Sequence, residues 1–266
     1  MTQTPQVKND YSRFKGWTQD SFGLYKRHWA AYYQLEIRRC VRRTGGAQRT
    51  PLKLLEIGFG NGAFMGWANA QGHEVHGIEI EALQLDAARL AGFTVAESLA
   101  ELAAQGGLAR YDGVVAFDVF EHLNPSQLQQ MVKDLHSVLN PGGWILARFP
   151  NGDSPFGRLN QHGDLTHVTA LGSMAVRQFA KGAGLQVLSV GSQPVALRGV
   201  GPLRALVHVL SLAVRCLLEA PIQLLLNAYY PGALRWFPLT PNLVAYLHKP
   251  PTEPSHDLHT NGRRPR

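Results

Sequence analysis

The sequence predicts an α/β architecture: a doubly wound, mostly parallel seven-stranded sheet with an antiparallel last strand. Three observations carry this expectation. From 51 to 150, short apolar runs alternate with helix-like segments without a long interruption, the pattern of parallel strands joined by crossover helices. The first run ends on Gly58, Gly60 and Gly62, immediately before a helical pattern begins, and such a turn lets backbone approach a ligand closely. Two further strand-like runs follow, "GLQVLSV" and "PNLVAYLHK", enough to complete the sheet.

In chain order, strands are expected near 52–57, 74–79, 93–96, 112–118, 143–149, 184–190 and 241–249. Helices are expected near 61–71, 81–91, 98–106, 125–139 and 172–183. Residues 11–45 form an aromatic and basic prelude in which Trp29, Tyr33, Glu36, Ile37, Cys40 and Val41 share helical spacing. This implies an N-terminal helical cap over 1–50, either packing on the core or serving as a lid. The core then covers 51–197 and 239–249, with a helical insertion at 198–238. The Pro-rich, polar tail 250–266 is expected to be disordered.

With 266 residues, 45% of them hydrophobic, the chain can bury one sizeable core. Cys40 and Cys216 are its only two cysteines, so neither a disulfide framework nor a zinc cluster is indicated, and a reducing cytoplasm fits. The N-terminus lacks the apolar stretch of a secretory signal. Charge is uneven: 1–50 holds ten basic and three acidic residues, 51–196 eight and thirteen, and 197–266 eight and three. An acidic centre between basic flanks argues against nucleic acid. It suits an anionic surface such as membrane headgroups, or else a solvated helix face.

"GFGNGA" fits both a dinucleotide loop and other nucleoside sites. Glu56 separates them, because a carboxylate at the strand's end would repel a pyrophosphate but attract an ammonium. S-adenosylmethionine (SAM) carries an amino group and a sulfonium and has no phosphate. Glu79, at the end of the second strand, is expected to accept the ribose hydroxyls, with Ile80 beside it. Ser98 falls near the adenine edge, and Asp118 ends the fourth strand ahead of Glu121 and His122.

"LLEIGFGNG", "GIEIE", "YDGVVAFDVFEHL" and "LNPGGWILARFPN" resemble, in order and spacing, class I SAM-dependent methyltransferases. The nearest resemblance is to the branch with ubiquinone-type and sugar methyltransferases of envelope polysaccharide pathways, over about 50–192. The resemblance implies a Rossmann-like fold, with Glu56, Gly58, Gly60 and Gly62 around the methionine moiety, Glu79 on the ribose and Asp118 near the methionyl end. Glu rather than Asp at 79, and no acid followed by an apolar residue after the third strand, depart from the commonest form.

The polar loop 148–173 faces the expected site and holds His162, Asp164 and His167. Methyl transfer chiefly needs alignment and exclusion of water; a hydroxyl acceptor also needs a base. The expected base is His167, oriented by Asp164, with His162 as the alternative. Glu121, His122 and Asn151 are placed in the acceptor cleft, and no metal is required. In 203–220, Arg204, His208, Ser211, Arg215 and Glu219 form one polar stripe on an otherwise apolar helix that Pro221 should end. An in-plane membrane helix follows over 203–237, or burial against the core or a second copy, rather than a span.

The expected activity is methylation of a hydroxyl on a cell-surface glycan or lipid-linked sugar precursor, in the cytoplasm at the inner membrane face. The rivals are O-methylation of a membrane-dissolved quinone-like phenol, a SAM-binding protein without catalysis and, more distantly, a nicotinamide oxidoreductase.

Overall fold

The computed structural model describes residues 15–45, 51–106, 110–229 and 238–251. The expected tail from 252 onward, the N-terminal 1–14 and the aromatic stretch 230–237 lie outside the described residues.

Seven strands form one sheet: β1 Lys53–Ile57, β2 Glu74–Ile78, β3 Thr94–Ala96, β4 Tyr111–Phe117, β5 Leu139–Pro150, β6 Gln186–Ser192 and β7 Asn242–His248. Their order is β3-β2-β1-β4-β5-β7-β6. Pairings from β3 through β5 are parallel, and β7 runs antiparallel between β5 and β6. The order reverses between β1 and β4, so the carboxyl ends of these two strands open the crevice in which such sheets hold ligands.

Eight α-helices are described: α1 Arg27–Arg43, α2 Ala63–Ala70, α3 Ala82–Leu90, α4 Leu99–Ala104, α5 Pro125–Val138, α6 Arg158–His162, α7 Ser173–Gly182 and α8 Pro202–Tyr229. One apolar cluster joins α1, α2 and α3 to one face of the sheet through Tyr33, Phe64, Trp67 and Leu85. A second joins α4, α5 and α7 to the other face through Leu102, Leu135 and Val176. The expected cap helix thus packs as a sheet-covering element. Its Glu36, fully buried, accepts a hydrogen bond from the Tyr246 hydroxyl of β7.

Two differences from the sequence reading have local causes. β5 begins at Leu139 rather than near 143, because the "NPGG" turn also pairs: the Gly142 amide donates to the Lys249 carbonyl at 2.9 Å. α8 does not end at Pro221 but continues to Tyr229. Proline removes one backbone donor inside a helix, and apolar side chains carry the helix on through 224–226.

Candidate active site at the carboxyl ends of the strands

β1 delivers Glu56 and then turns on Gly58, whose amide donates to the Ile78 carbonyl at 2.7 Å. Gly58 has φ +64°, and a Cβ there would lie 2.7 Å from Val119. The cofactor loop therefore rests directly on the segment that follows β4. Gly62, also left-handed, starts α2.

Glu56 is buried. One of its oxygens takes a backbone hydrogen bond from Met65, and the other has no partner. Burial, reinforced by the nearby Glu79 carboxylate, holds its pKa well above the ordinary carboxylate range. Two acidic groups facing a crevice with an unpartnered oxygen suit a cationic ligand and oppose a phosphate. Glu79 accepts from the amides of Gly60 at 2.8 Å, Ile80 at 2.7 Å and Glu81 at 3.2 Å, so it clamps the glycine loop in addition to any ribose contact. Ile80 beside it is exposed, leaving an apolar surface on which a flat ring can lie.

The N-terminal segment covers the loop, which the sequence did not reveal in detail. The Trp17 ring comes within 2.7 Å of where a Gly60 Cβ would stand, and Phe22 lies against Gly62. Lys15 reaches Asp164 at 3.7 Å, so one short segment touches both the cofactor loop and the loop after β5.

Several expected site residues do other work. Asp118, at φ +58°, is not free at the methionyl end: the Arg148 guanidinium holds both its carboxylate oxygens. Arg148 is buried against Phe117, Trp29 and Tyr32, with ring centres at 4.9, 5.3 and 5.7 Å, and the pairing with Asp118 raises its pKa despite burial. An arginine inside the apolar run "WILARFP" was the available sequence signal, since buried arginine is rare unless paired. Ser98 caps α4, its hydroxyl accepting from the Glu101 amide at 3.2 Å. Asn151 is fully engaged in holding the approach to β7: its amide donates to the carbonyls of Pro238 and Thr240, while its side-chain oxygen accepts from the Asp153 amide. It is a structural pin rather than part of an open acceptor cleft.

Past β4, Glu121 and His122 meet His167 from the loop after β5. The two imidazole rings are edge to face, 4.7 Å between centres, and His167 Nε2 stands 3.8 Å from Glu121 Oε1. The His167 Nδ1–H donates to the Gln161 carbonyl at 3.1 Å; Asp164 does not orient this ring. The Asp164 carboxylate instead accepts from the Thr166 amide at 3.0 Å and the Thr166 hydroxyl at 2.5 Å, and that hydroxyl lies 3.0 Å from His122 Nδ1. Burial opposes ionisation of Asp164, yet the two Thr166 bonds together with His167 and Lys15 hold its pKa below the usual range. Burial, then the neighbouring His167, depresses His122. His162 is exposed at the end of α6 and takes no part in the cluster.

A family model described as a methyltransferase domain matches residues 29–190, from α1 into β6, and the chain belongs to that family. It is a SAM-dependent methyltransferase, with S-adenosylmethionine as cofactor; the nicotinamide reading is thereby set aside. Among solved structures, a SAM-dependent methyltransferase from Archaeoglobus fulgidus is 18% identical over 82% of this chain and 94% of its own, with TM-score 0.52. A counterpart from Clostridium acetobutylicum is 10% identical over 83% and 91%, also at 0.52. A plantazolicin methyltransferase is 18% identical over 82% and 84%, again at 0.52. At these identities the likeness is one of fold. No curated protein sequence matches the chain.

Proposed function

We propose that this methyltransferase acts at the inner face of a membrane on a hydroxyl of a cell-surface glycan or lipid-linked sugar precursor. Bound SAM supplies an electrophilic methyl group on a sulfonium. Glu56 meets the cofactor's ammonium, the glycine loop admits its backbone, and Ile80 offers a surface for its base. The cluster of buried Glu121 with half-buried His122, on the segment that abuts Gly58, and half-buried His167, from the loop after β5, is where an acceptor hydroxyl would lose its proton. With Nδ1–H given to Gln161, His167 has the Nε2 lone pair to accept that proton.

The observation that carries the membrane part is the orientation of α8. Glu219 and Gln223 on its polar stripe are 6% and 4% exposed, whereas Leu203, Leu217 and Leu224 are 75%, 76% and 73% exposed. In the second half of the helix these two polar side chains turn inward and the leucines outward, the reverse of a helix facing water. The helix is long and apolar enough to cross a membrane, with mean hydropathy 1.8 over its most apolar window. A continuous polar stripe favours an in-plane position. Its first half is tied to the body at His208, whose Nδ1 lies 3.0 Å from the Ala196 carbonyl.

The deciding experiment transfers label from methyl-labelled SAM to fractionated envelope extract. Label in glycan or lipid-linked sugar supports the reading. Label in the quinone fraction replaces it with the phenol reading, and SAM binding without any S-adenosylhomocysteine (SAH) formation replaces it with the non-catalytic one.

A further inference from the structure

The polar stripe of α8 is neutralised in its second half only. There Arg215 meets Glu219 at 3.2 Å. In the first half Arg204 stands one turn from His208, and the whole stretch 193–218 contains neither Asp nor Glu. This half docks beside the start of α1 through the loop that joins β6 to α8. The His208 Nδ1 lies 3.0 Å from the Ala196 carbonyl, and the Arg27 Nε–H donates to the Gly199 carbonyl at 2.9 Å. A Cβ on Gly199 would stand 3.4 Å from that of Ala31. These contacts gather Lys26, Arg27, Arg198 and Arg204 at one junction, all four exposed.

Such a gathering works against the fold unless something compensates it. The stretch 21–35 also lacks Asp and Glu, so α1 has no acid in its first turn, where the helix dipole favours one. Like charges held close repel. The repulsion shows on half-buried His28, whose pKa is depressed first by burial and then by Arg204, Lys26 and His208. Among the described residues, the side chains of Lys26, Arg198 and Arg204 have no ion-pair or hydrogen-bond partner. The missing partner is an anion from outside the chain.

We propose that Lys26, Arg27, Arg198 and Arg204 form a binding site for the exposed phosphate group of a membrane lipid. Guanidinium forks match phosphate oxygens in pairs, and four cations suit a doubly charged monoester or a diphosphate better than a singly charged diester. The neighbouring side chains select a lipid over a soluble anion. Leu24, Leu197, Leu203 and Leu206 are all exposed, so apolar groups can enter the acyl boundary while the cations stay at headgroup level. The headgroup contact thus sits at one end of α8 and is not spread over the basic flanks. The lipid as occupant rests on the proposed membrane location; the affinity for phosphate does not.

The test floats the full chain on phosphatidylcholine vesicles that contain either phosphatidic acid or phosphatidylglycerol, adjusted to equal zeta potential. The expected result is binding at least ~10-fold tighter to the phosphatidic acid vesicles. Lys26→Gln/Arg204→Gln should lose this preference while keeping the parent's melting temperature and SAH affinity. Arg38→Gln/Arg42→Gln removes the same charge from exposed positions further along α1 and should keep the preference. Equal loss in the two double variants means diffuse attraction and overturns the site. If inorganic phosphate at millimolar concentration and constant ionic strength releases the parent from phosphatidic acid vesicles, the site belongs to free phosphate and the lipid assignment falls. Flotation on both vesicles without preference overturns this inference and leaves the membrane reading intact. Absence of flotation on either vesicle overturns the membrane reading and the lipid occupant with it.

Discussion

Glu56 faces opposed demands that a single substitution separates. Its folded pKa is raised by burial and by Glu79, so the folded state takes up a proton more readily than the unfolded chain. The cost of the buried charge is absent below the unfolded carboxylate pKa and complete above the folded one. Glu56→Gln should therefore raise the melting temperature more at pH 8 than at pH 4, where both side chains are neutral. The same change should weaken SAH binding at pH 8 by about tenfold, roughly 1.4 kcal/mol, the worth of a charge-assisted hydrogen bond to the ammonium. Calorimetric titration beside thermal melts reads both; unchanged affinity would mean that the ammonium lies elsewhere. Arg148 makes the complementary case. Asp118→Asn keeps a residue tolerant of a left-handed backbone but leaves a buried guanidinium without its counter-charge. Because the Asp118 side chain is 46% exposed, the expected loss is discounted for solvent screening to about 1–2 kcal/mol, measurable by urea unfolding. Arg148→Met is expected to recover part of that loss in the Asp118→Asn background.

Elements differed in how much the sequence disclosed, and the difference follows from the range of the forces involved. Strand and helix positions through the core were legible because periodicity and the glycine turn are local signals. The association of Glu121, His122 and His167 was half legible: the residues were candidates, but sequence proximity tied Asp164 to His167, whereas the backbone turn at 164–167 presents its carboxylate to Thr166. Ser98 and Asn151 looked like ligand contacts because capping and loop-pinning use the same polar side chains as binding does. The span of α8 was misjudged from Pro221, since a local helix penalty can be outweighed by neighbouring apolar turns. Least legible was the segment 15–24, where the contact of Trp17 with Gly60 depends on tertiary docking. That contact yields a prediction: SAH entering at the glycine loop should shift tryptophan emission, and Trp17→Phe should abolish most of the shift while the other tryptophans remain. An undiminished shift in Trp17→Phe would remove this segment from the cofactor's path.

Over the whole molecule, charge and apolar surface should act together at a membrane. Basic residues outnumber acidic ones ten to three in 1–50 and eight to three in 197–266, and α8 turns its leucines outward. Electrostatic attraction to anionic headgroups is screened as the Debye length contracts from about 10 Å at 0.1 M salt to about 3 Å at 1 M. Burial of leucine side chains in the acyl boundary is not screened. With vesicles rich in phosphatidylglycerol, the parent protein should float at both salt concentrations. Leu206→Glu/Leu210→Glu should float at 0.1 M salt only, and with neutral phosphatidylcholine vesicles it should not float at all. If the double variant floats like the parent at 1 M salt, the outward face of α8 is not the membrane contact. If the parent itself is released at 1 M salt, the attachment is electrostatic and the helix lies outside the acyl region. The soluble controls are the melting temperature and SAH affinity of the double variant. Both should match the parent, because Leu206 and Leu210 are 55% and 56% exposed and neither belongs to the cofactor loop.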